Sequence, residues 1–124
     1  MEFKKGDLLI ARYREIYKGY HFIIYLHKYH GDDFEGAIIT TKPVYDNVLM
    51  DKSHFQEKDK DGNDYKIQYN KSHLVRYRFV KPDEWGPYKI EGRLTHEGVK
   101  FVDDNLNDTT IQTFKEYYDK LKSK

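Results

Sequence analysis

Cysteine is absent from this chain of 124 residues, and proline occurs only three times. Without cysteine there is no disulfide framework and no thiolate chemistry. Long apolar runs are missing as well, since none approaches the roughly 20 residues that a membrane-spanning helix needs. The first seven residues lack the apolar core of a signal peptide. These absences predict a cytoplasmic protein with no membrane partner.

A strong charge of either sign is also lacking, because 22 basic and 21 acidic residues leave a net charge of only +1. Bulk charge therefore gives no reason to expect nucleic acid, although a local basic patch is compatible with it. Hydrophobic residues make up only 38% of the chain, but aromatic residues reach 16%. Each large ring buries about 150–250 Å², so we expect one folded domain spanning residues 1–124.

Apolar and β-branched segments predict strands in the first two thirds of the chain. They cover residues 8–13, 20–26, 36–41 and 74–80. The last of these alternates Val75, Tyr77 and Phe79 with two arginines, which is the period of a half-buried strand. A further hairpin is predicted around the polar turn at residues 59–64, which contains an Asp-Gly pair.

Two helices are predicted near the C-terminal end, over about residues 95–122. In the first, over residues 95–106, Val99, Val102 and Leu106 recur at helical spacing, while Gly98 weakens the prediction. The second starts at Thr109, with Gln112 three residues later as in a capping box. Its apolar face consists of Ile111, Phe114, Tyr118 and Leu121.

Five or six short strands with little helix between them favour a small antiparallel barrel. We therefore expect a mainly β fold, with a barrel over about residues 5–92 and the two C-terminal helices packed on it. Neither repeats nor an interdomain linker interrupt this pattern.

No metal or other cofactor is predicted. Residues 59–64 resemble the start of an EF-hand loop, but Asp64 occupies the sixth position, where glycine is needed, and Asn70 the twelfth, where glutamate is needed. Among the six histidines only His27 and His30 are closely spaced, which is too few ligands for a zinc site. We interpret residues 59–64 as a solvated turn.

Basic residues alternate with tyrosines around two of the predicted strands. Arg12, Arg14 and Lys18 lie near the first hairpin, and Arg76 and Arg78 share one face of the later strand. Such a pattern suits single-stranded RNA, because cations pair with phosphates and bases stack on aromatic rings. It equally suits an ordinary solvated strand face with tyrosines in the core, so both interpretations stay open.

Several short segments occur in the order expected of one known family. Gly-Asp-Leu-Leu at 6–9 resembles the opening of its first strand, and residues 19–26 resemble its Gly-x-Arg-Pro segment followed by an apolar strand. Residues 37–41 resemble a third strand that ends in threonine, while 72–81 and 92–95 resemble the late strand and the start of the C-terminal helix. Over about residues 5–106 the chain therefore resembles the MazF/PemK family of toxin endoribonucleases.

This resemblance implies an SH3-like barrel, usually a homodimer, that cuts single-stranded RNA without metal and is opposed by an antitoxin protein. A family threonine and arginine act at the scissile phosphate, and they correspond to Thr40 and His21 in this chain. Histidine is a competent general acid or base, but it lacks the fixed charge and bidentate fork of arginine. Arg12 or Arg14 would then supply the charge. The alternative is a noncatalytic SH3-like module that binds a protein or nucleic acid.

Overall fold

The computed structural model describes residues 3–11, 21–28, 34–40, 47–58, 61–64, 72–76, 78–80, 89–107, 109 and 111–112. The strands are β1 Asp7–Ala11, β2 His21–Lys28, β3 Phe34–Thr40, β4 Val48–Leu49, β5 His73–Leu74, β6 Arg78–Val80, β7 Lys89–Arg93 and β8 Ile111–Gln112. The helices are a 3₁₀ turn, Lys52–His54, and α1, His96–Leu106. The predicted mainly β character is confirmed, and so are the strands expected at 8–13, 20–26 and 36–41 over the residues of each that the structure describes.

The eight strands found among the described residues form one sheet, whose main path runs β4-β5-β3-β2-β1-β7 with antiparallel neighbours. Strand β6 also pairs antiparallel with β3, and β8 pairs with β6 in parallel. The long strands β2 and β3 lie at the centre of the path, as their β-branched and aromatic residues favour.

The expected barrel is not closed by the described strands. Strands β4 and β7 end the path, and among the described residues an isolated bridge between Phe55 and Leu94 joins the segments that follow them. Around this bridge Gln56 N donates to Arg93 O at 2.9 Å. Because β4 is two residues long and the chain then enters the 3₁₀ turn, no ladder continues along the edge.

The prediction of a single strand over residues 74–80 is wrong, because the structure has two strands there, β5 and β6. Leu74 pairs with Ile39 and Phe79 with Gly36, so five steps along this segment span three steps of β3. The surplus residues interrupt the ladder, in the manner of a bulge. Of the residues in the predicted alternation, Val75 and Phe79 are buried and Arg76 is exposed, but the adjacent Leu74 is buried as well.

The main core lies between one face of the sheet and α1. It contains side chains from β1, β2, β3 and β5 together with residues that follow β4, follow β7 or belong to α1. Its members are Leu8, Ile24, Leu26, Ala37, Ile39, Met50, Phe55, Leu74, Leu94, Val102 and Leu106. Alternate residues of the central strands, Leu9, Ile23 and Ile38, are buried as well, so both faces of the sheet are covered.

Helix α1 confirms the first predicted helix. Thr95 is its N-cap, where the side-chain oxygen accepts from Gly98 N at 3.1 Å. Val102 and Leu106 are buried in the core, as their spacing predicts. Within the described ranges, no helix is long and apolar enough to cross a membrane.

The prediction of a second helix is wrong at the start of that helix, because Ile111–Gln112 forms β8. Thr109 does not cap a following helix; its hydroxyl donates to Leu106 O at 2.7 Å and its amide donates to the same oxygen at 3.1 Å. Thr109 therefore hydrogen-bonds the C-terminal end of α1 and does not begin a new helix. The expected apolar-face residues Phe114, Tyr118 and Leu121 lie outside the described residues.

Candidate active site

Two predicted site residues occupy neighbouring positions at one end of the β2–β3 ladder. His21 is the first residue of β2 and Thr40 is the last of β3. Phe22 pairs with Ile39, so the next positions of the two strands place His21 opposite Thr40. Directly opposed residues of antiparallel strands have Cα atoms about 4.5–5.5 Å apart. The fold thus brings these two backbone positions together.

A third residue with proton-transfer chemistry lies in the same transverse row. Thr40 pairs with His73 of β5, so the order across three neighbouring strands is His21, Thr40, His73. Sequence reasoning missed His73, because the predicted strand began at Leu74 and the resemblance over residues 72–81 assigned residue 73 no role. The signal that could have found it is the antiparallel return of this segment along β3, which sets residue 73 against the terminal threonine.

The environment of Thr40 and His73 is intermediate between core and solvent. Ile39 and Leu74, the strand neighbours of Thr40 and His73, belong to the main core. Since successive side chains of a strand alternate between faces, Thr40 and His73 lie on the sheet face away from that core. Both are half-buried. A half-buried position admits a solvent-borne ligand while strengthening electrostatic contacts relative to bulk water.

Chemically, the row combines a hydroxyl with imidazoles. A threonine hydroxyl can donate a hydrogen bond to an anionic oxygen, and an imidazole exchanges protons near neutral pH. These groups match two of the needs of a metal-free hydrolytic or transesterification site, which are proton transfer and hydrogen bonding to a developing charge.

Two of the predicted substrate-binding residues, Arg76 and Arg78, lie among the described residues. Arg76 follows β5 three residues after His73, and its side chain is exposed. Arg76 therefore places a positive charge on the segment that carries His73. The predicted substrate-binding residues Arg12, Arg14 and Lys18 lie outside the described residues.

Arg78 is directed away from the row. Its side chain contacts Glu35, which lies five residues from Thr40 along β3, or about 17 Å of extended strand. Arg78 Nη1 lies 3.4 Å from Glu35 Oε1, while its Nε and Nη2 donate to Thr109 Oγ1 and Thr109 O at 3.3 and 2.5 Å. The Glu35 side chain is only 4% exposed. Arg78 thus neutralises a buried carboxylate, which would be costly to leave unpaired.

His27 contacts the same buried carboxylate from β2. Its Nε2 pairs with Glu35 Oε2, and the His27 side chain is 59% exposed. The β2–β3 register shifts between Tyr25 and His27, and this bulge sets His27 opposite Glu35. The sequence offered His27 only as a weak zinc candidate with His30. The structure instead gives it a carboxylate partner, at the end of β2 opposite to His21.

A second buried carboxylate joins β1 to β7. Asp7 Oδ1 accepts from Arg93 Nη1 at 2.5 Å, and Asp7 Oδ2 accepts from Lys4 N at 2.7 Å. Gly6, with φ of +95°, precedes it, and its amide donates to Tyr25 O at 2.9 Å. This left-handed conformation suits glycine. The Gly6-Asp7 pair is therefore a structural feature that anchors the start of the sheet.

Among the described residues, no group of three or more histidine, aspartate or glutamate side chains is placed to hold a metal ion. Comparison of the chain with known protein families, curated proteins and solved structures finds no match.

Proposed function

We propose that this chain is a MazF/PemK-like toxin of a toxin–antitoxin system, an endoribonuclease that cuts single-stranded RNA without a metal ion. The observation that carries the proposal is the β2–β3 register, which sets His21 opposite Thr40. These are the two positions that correspond to the phosphate-binding arginine and threonine of the family. They are 19 positions apart in the sequence, so their juxtaposition is a property of the fold.

The arrangement suits cleavage by attack of the ribose 2′-hydroxyl on the adjacent phosphate. His21 exchanges a proton with the reacting oxygens, and Thr40 donates a hydrogen bond to a non-bridging phosphate oxygen. Arg12 or Arg14 supplies the fixed positive charge that histidine lacks. Lys18 and Arg76 add affinity for the RNA backbone.

Contacts between the segments that resemble the family also support the proposal. Asp7, from the Gly-Asp opening, binds Arg93, which belongs to the segment that resembles the start of the family's C-terminal helix. Gly6 O accepts from Leu94 N at 2.8 Å. Asp7 and Arg93 are 86 positions apart in the sequence. The two segments that resemble the family therefore form one structural unit, which joins β1 and β7.

The proposal includes a cytoplasmic homodimer and an antitoxin protein as partners. An excess of aromatic residues for a chain of this size favours a protein interface, since such residues are enriched there. A noncatalytic SH3-like interaction or nucleic-acid-binding module is the second candidate. The observation that favours it is His21 itself, because the family arginine is replaced.

The decisive experiment is to incubate purified protein with a mixed RNA in excess chelator and to map new RNA ends. We expect discrete new ends with the wild type. Thr40→Val should reduce their formation, because it removes the hydroxyl at nearly constant volume. Thr40→Ser is the matched control, which keeps the hydroxyl and should retain cleavage. RNA that is bound but never cut would contradict the proposal and favour the noncatalytic module.

A further inference from the structure

We infer that His73 is a second proton-transfer residue of this site, so that His21 and His73 act as an acid–base pair on a phosphodiester held at Thr40. The inference rests on the proposed function and adds a catalytic residue to it. It is motivated by the register of β3 and β5, in which Thr40 pairs directly with His73.

The spacing across the three strands suits this role. Neighbouring strands lie about 4.7–4.9 Å apart, so the backbones that carry the two histidines are separated by about 9.5 Å, with the threonine between them. In an in-line displacement at phosphorus, the attacking and leaving oxygens lie on opposite sides of the phosphate. Groups on either side of an anchored phosphate can therefore serve the two oxygens separately.

Backbone hydrogen bonds hold His73 in place on both sides. Met50 N donates to Ser72 O at 2.9 Å, and Val75 N donates to Ile38 O at 2.9 Å. The residues paired with His73 from β3 and β4, Thr40 and Leu49, carry no charge. Along its own segment the next described charged residue is Arg76. The sheet therefore fixes the backbone that carries the His73 imidazole, which is what a positioned proton-transfer residue requires.

The proposed step is balanced without any further reactant. One neutral imidazole removes the proton from the 2′-hydroxyl as that oxygen forms a bond to phosphorus. The bond between phosphorus and the 5′-oxygen breaks, and the other imidazole, which is protonated, gives its proton to the departing oxygen. The products are a 2′,3′-cyclic phosphate and a 5′-hydroxyl end, and the two histidines have exchanged protonation states.

The test is the pH dependence of kcat/KM for RNA cleavage by the wild type and by His73→Ala. Two essential groups give a bell-shaped profile. For His73→Ala we expect a rate loss of about 10²–10⁴-fold, disappearance of one limb of the profile, and RNA affinity within a few fold of wild type. His96→Ala is the matched control, since His96 is exposed on α1 and should leave the profile unchanged.

The outcomes separate the inference from the proposed function. A cleaving wild type whose His73→Ala variant keeps both limbs and the full rate would overturn the role of His73 while leaving the proposed function intact. A wild type that cuts no RNA would overturn both. If His73→Ala fails to fold, as judged by circular dichroism, His73→Gln retains a polar side chain of similar size, and the same loss of one limb is expected.

Discussion

Gly98 of α1 lies against the backbone carbonyl of His54, at a distance that leaves no space for a side chain. A β-carbon at residue 98 would sit 2.1 Å from His54 O and 3.0 Å from the carbonyl carbon. Thr95 strengthens the same junction, because its amide donates to His54 O at 2.9 Å. The glycine that weakens the helix locally is therefore what allows the helix to pack on the 3₁₀ turn.

Gly98→Ala should accordingly destabilise the protein. In an ordinary helix this change adds about 0.5–1 kcal/mol of stability. Here we expect a loss of about 1–3 kcal/mol, the usual cost of overpacking against a rigid neighbour. Urea unfolding measures the difference, and His96→Ala at an exposed helix position provides the control, with a change below about 0.5 kcal/mol. A variant as stable as wild type would show that the helix moves freely at this contact.

Two arginines, two positions apart, should differ sharply in their effect on folding. Arg78→Met leaves the buried Glu35 carboxylate without its guanidinium partner, so we expect a loss of about 3 kcal/mol in unfolding free energy. Arg76→Met is the matched control, because Arg76 is exposed, and its cost should stay within about 0.5 kcal/mol. Equal losses in the two variants would contradict the structural role of Arg78.

The same pair separates folding from RNA binding. Arg76→Met should weaken RNA binding uniformly across sequences and lower the slope of log affinity against log salt by about one, as expected for one lost phosphate contact. Filter binding over a salt series measures this slope. An unchanged slope would show that Arg76 contacts no phosphate in the proposed complex with RNA.

The central strands and α1 are predictable because their signals are local and mutually consistent. β-branched runs define β2 and β3, and Val102 and Leu106 recur on one face of α1 behind the Thr95 cap. Closure of the barrel is not predictable in this way. It depends on whether a short edge strand continues, and the 3₁₀ turn ends β4 before it can pair with β7.

Thr109 and His73 show where local reasoning fails. Thr109 carries the sequence signature of a helix start, yet its hydroxyl hydrogen-bonds the last turn of the preceding helix and the chain continues as β8. His73 has no recognisable motif, and its position beside Thr40 follows from the register between β3 and β5. Register depends on pairing between distant segments, which a pattern within one segment does not contain.

The 3₁₀ turn should respond to acid through Asp51. Hydrogen bonds from the Ser53 side chain and amide hold the pKa of Asp51 below its usual value of 3.8. A carboxyl whose pKa is lower in the folded state stabilises the fold above its unfolded pKa and loses that contribution as pH falls through the folded pKa. Wild type should therefore exceed Asp51→Asn in urea midpoint well above pH 3.8, and this difference should shrink at more acidic pH. A difference that grows with acid would contradict the assignment.

The proposed homodimer is measurable by light scattering. At concentrations on the order of tens of micromolar, we expect twice the monomer mass, because stable protein pairs associate in the micromolar to nanomolar range. A mass of 15.0 kDa under these conditions would be that of the monomer and would count against the dimer.

The most direct test of the account is single-turnover cleavage of RNA by His21→Ala beside wild type and His21→Arg. If His21 transfers a proton at the phosphate bound by Thr40, His21→Ala should lose about 10²–10⁴-fold in rate, while RNA affinity, which comes mainly from cations, stays close to wild type. His21→Arg should retain cleavage, since it restores the residue type of the family. An unchanged rate for His21→Ala would contradict the proposed mechanism, because it would show that His21 transfers no proton in the cleavage step.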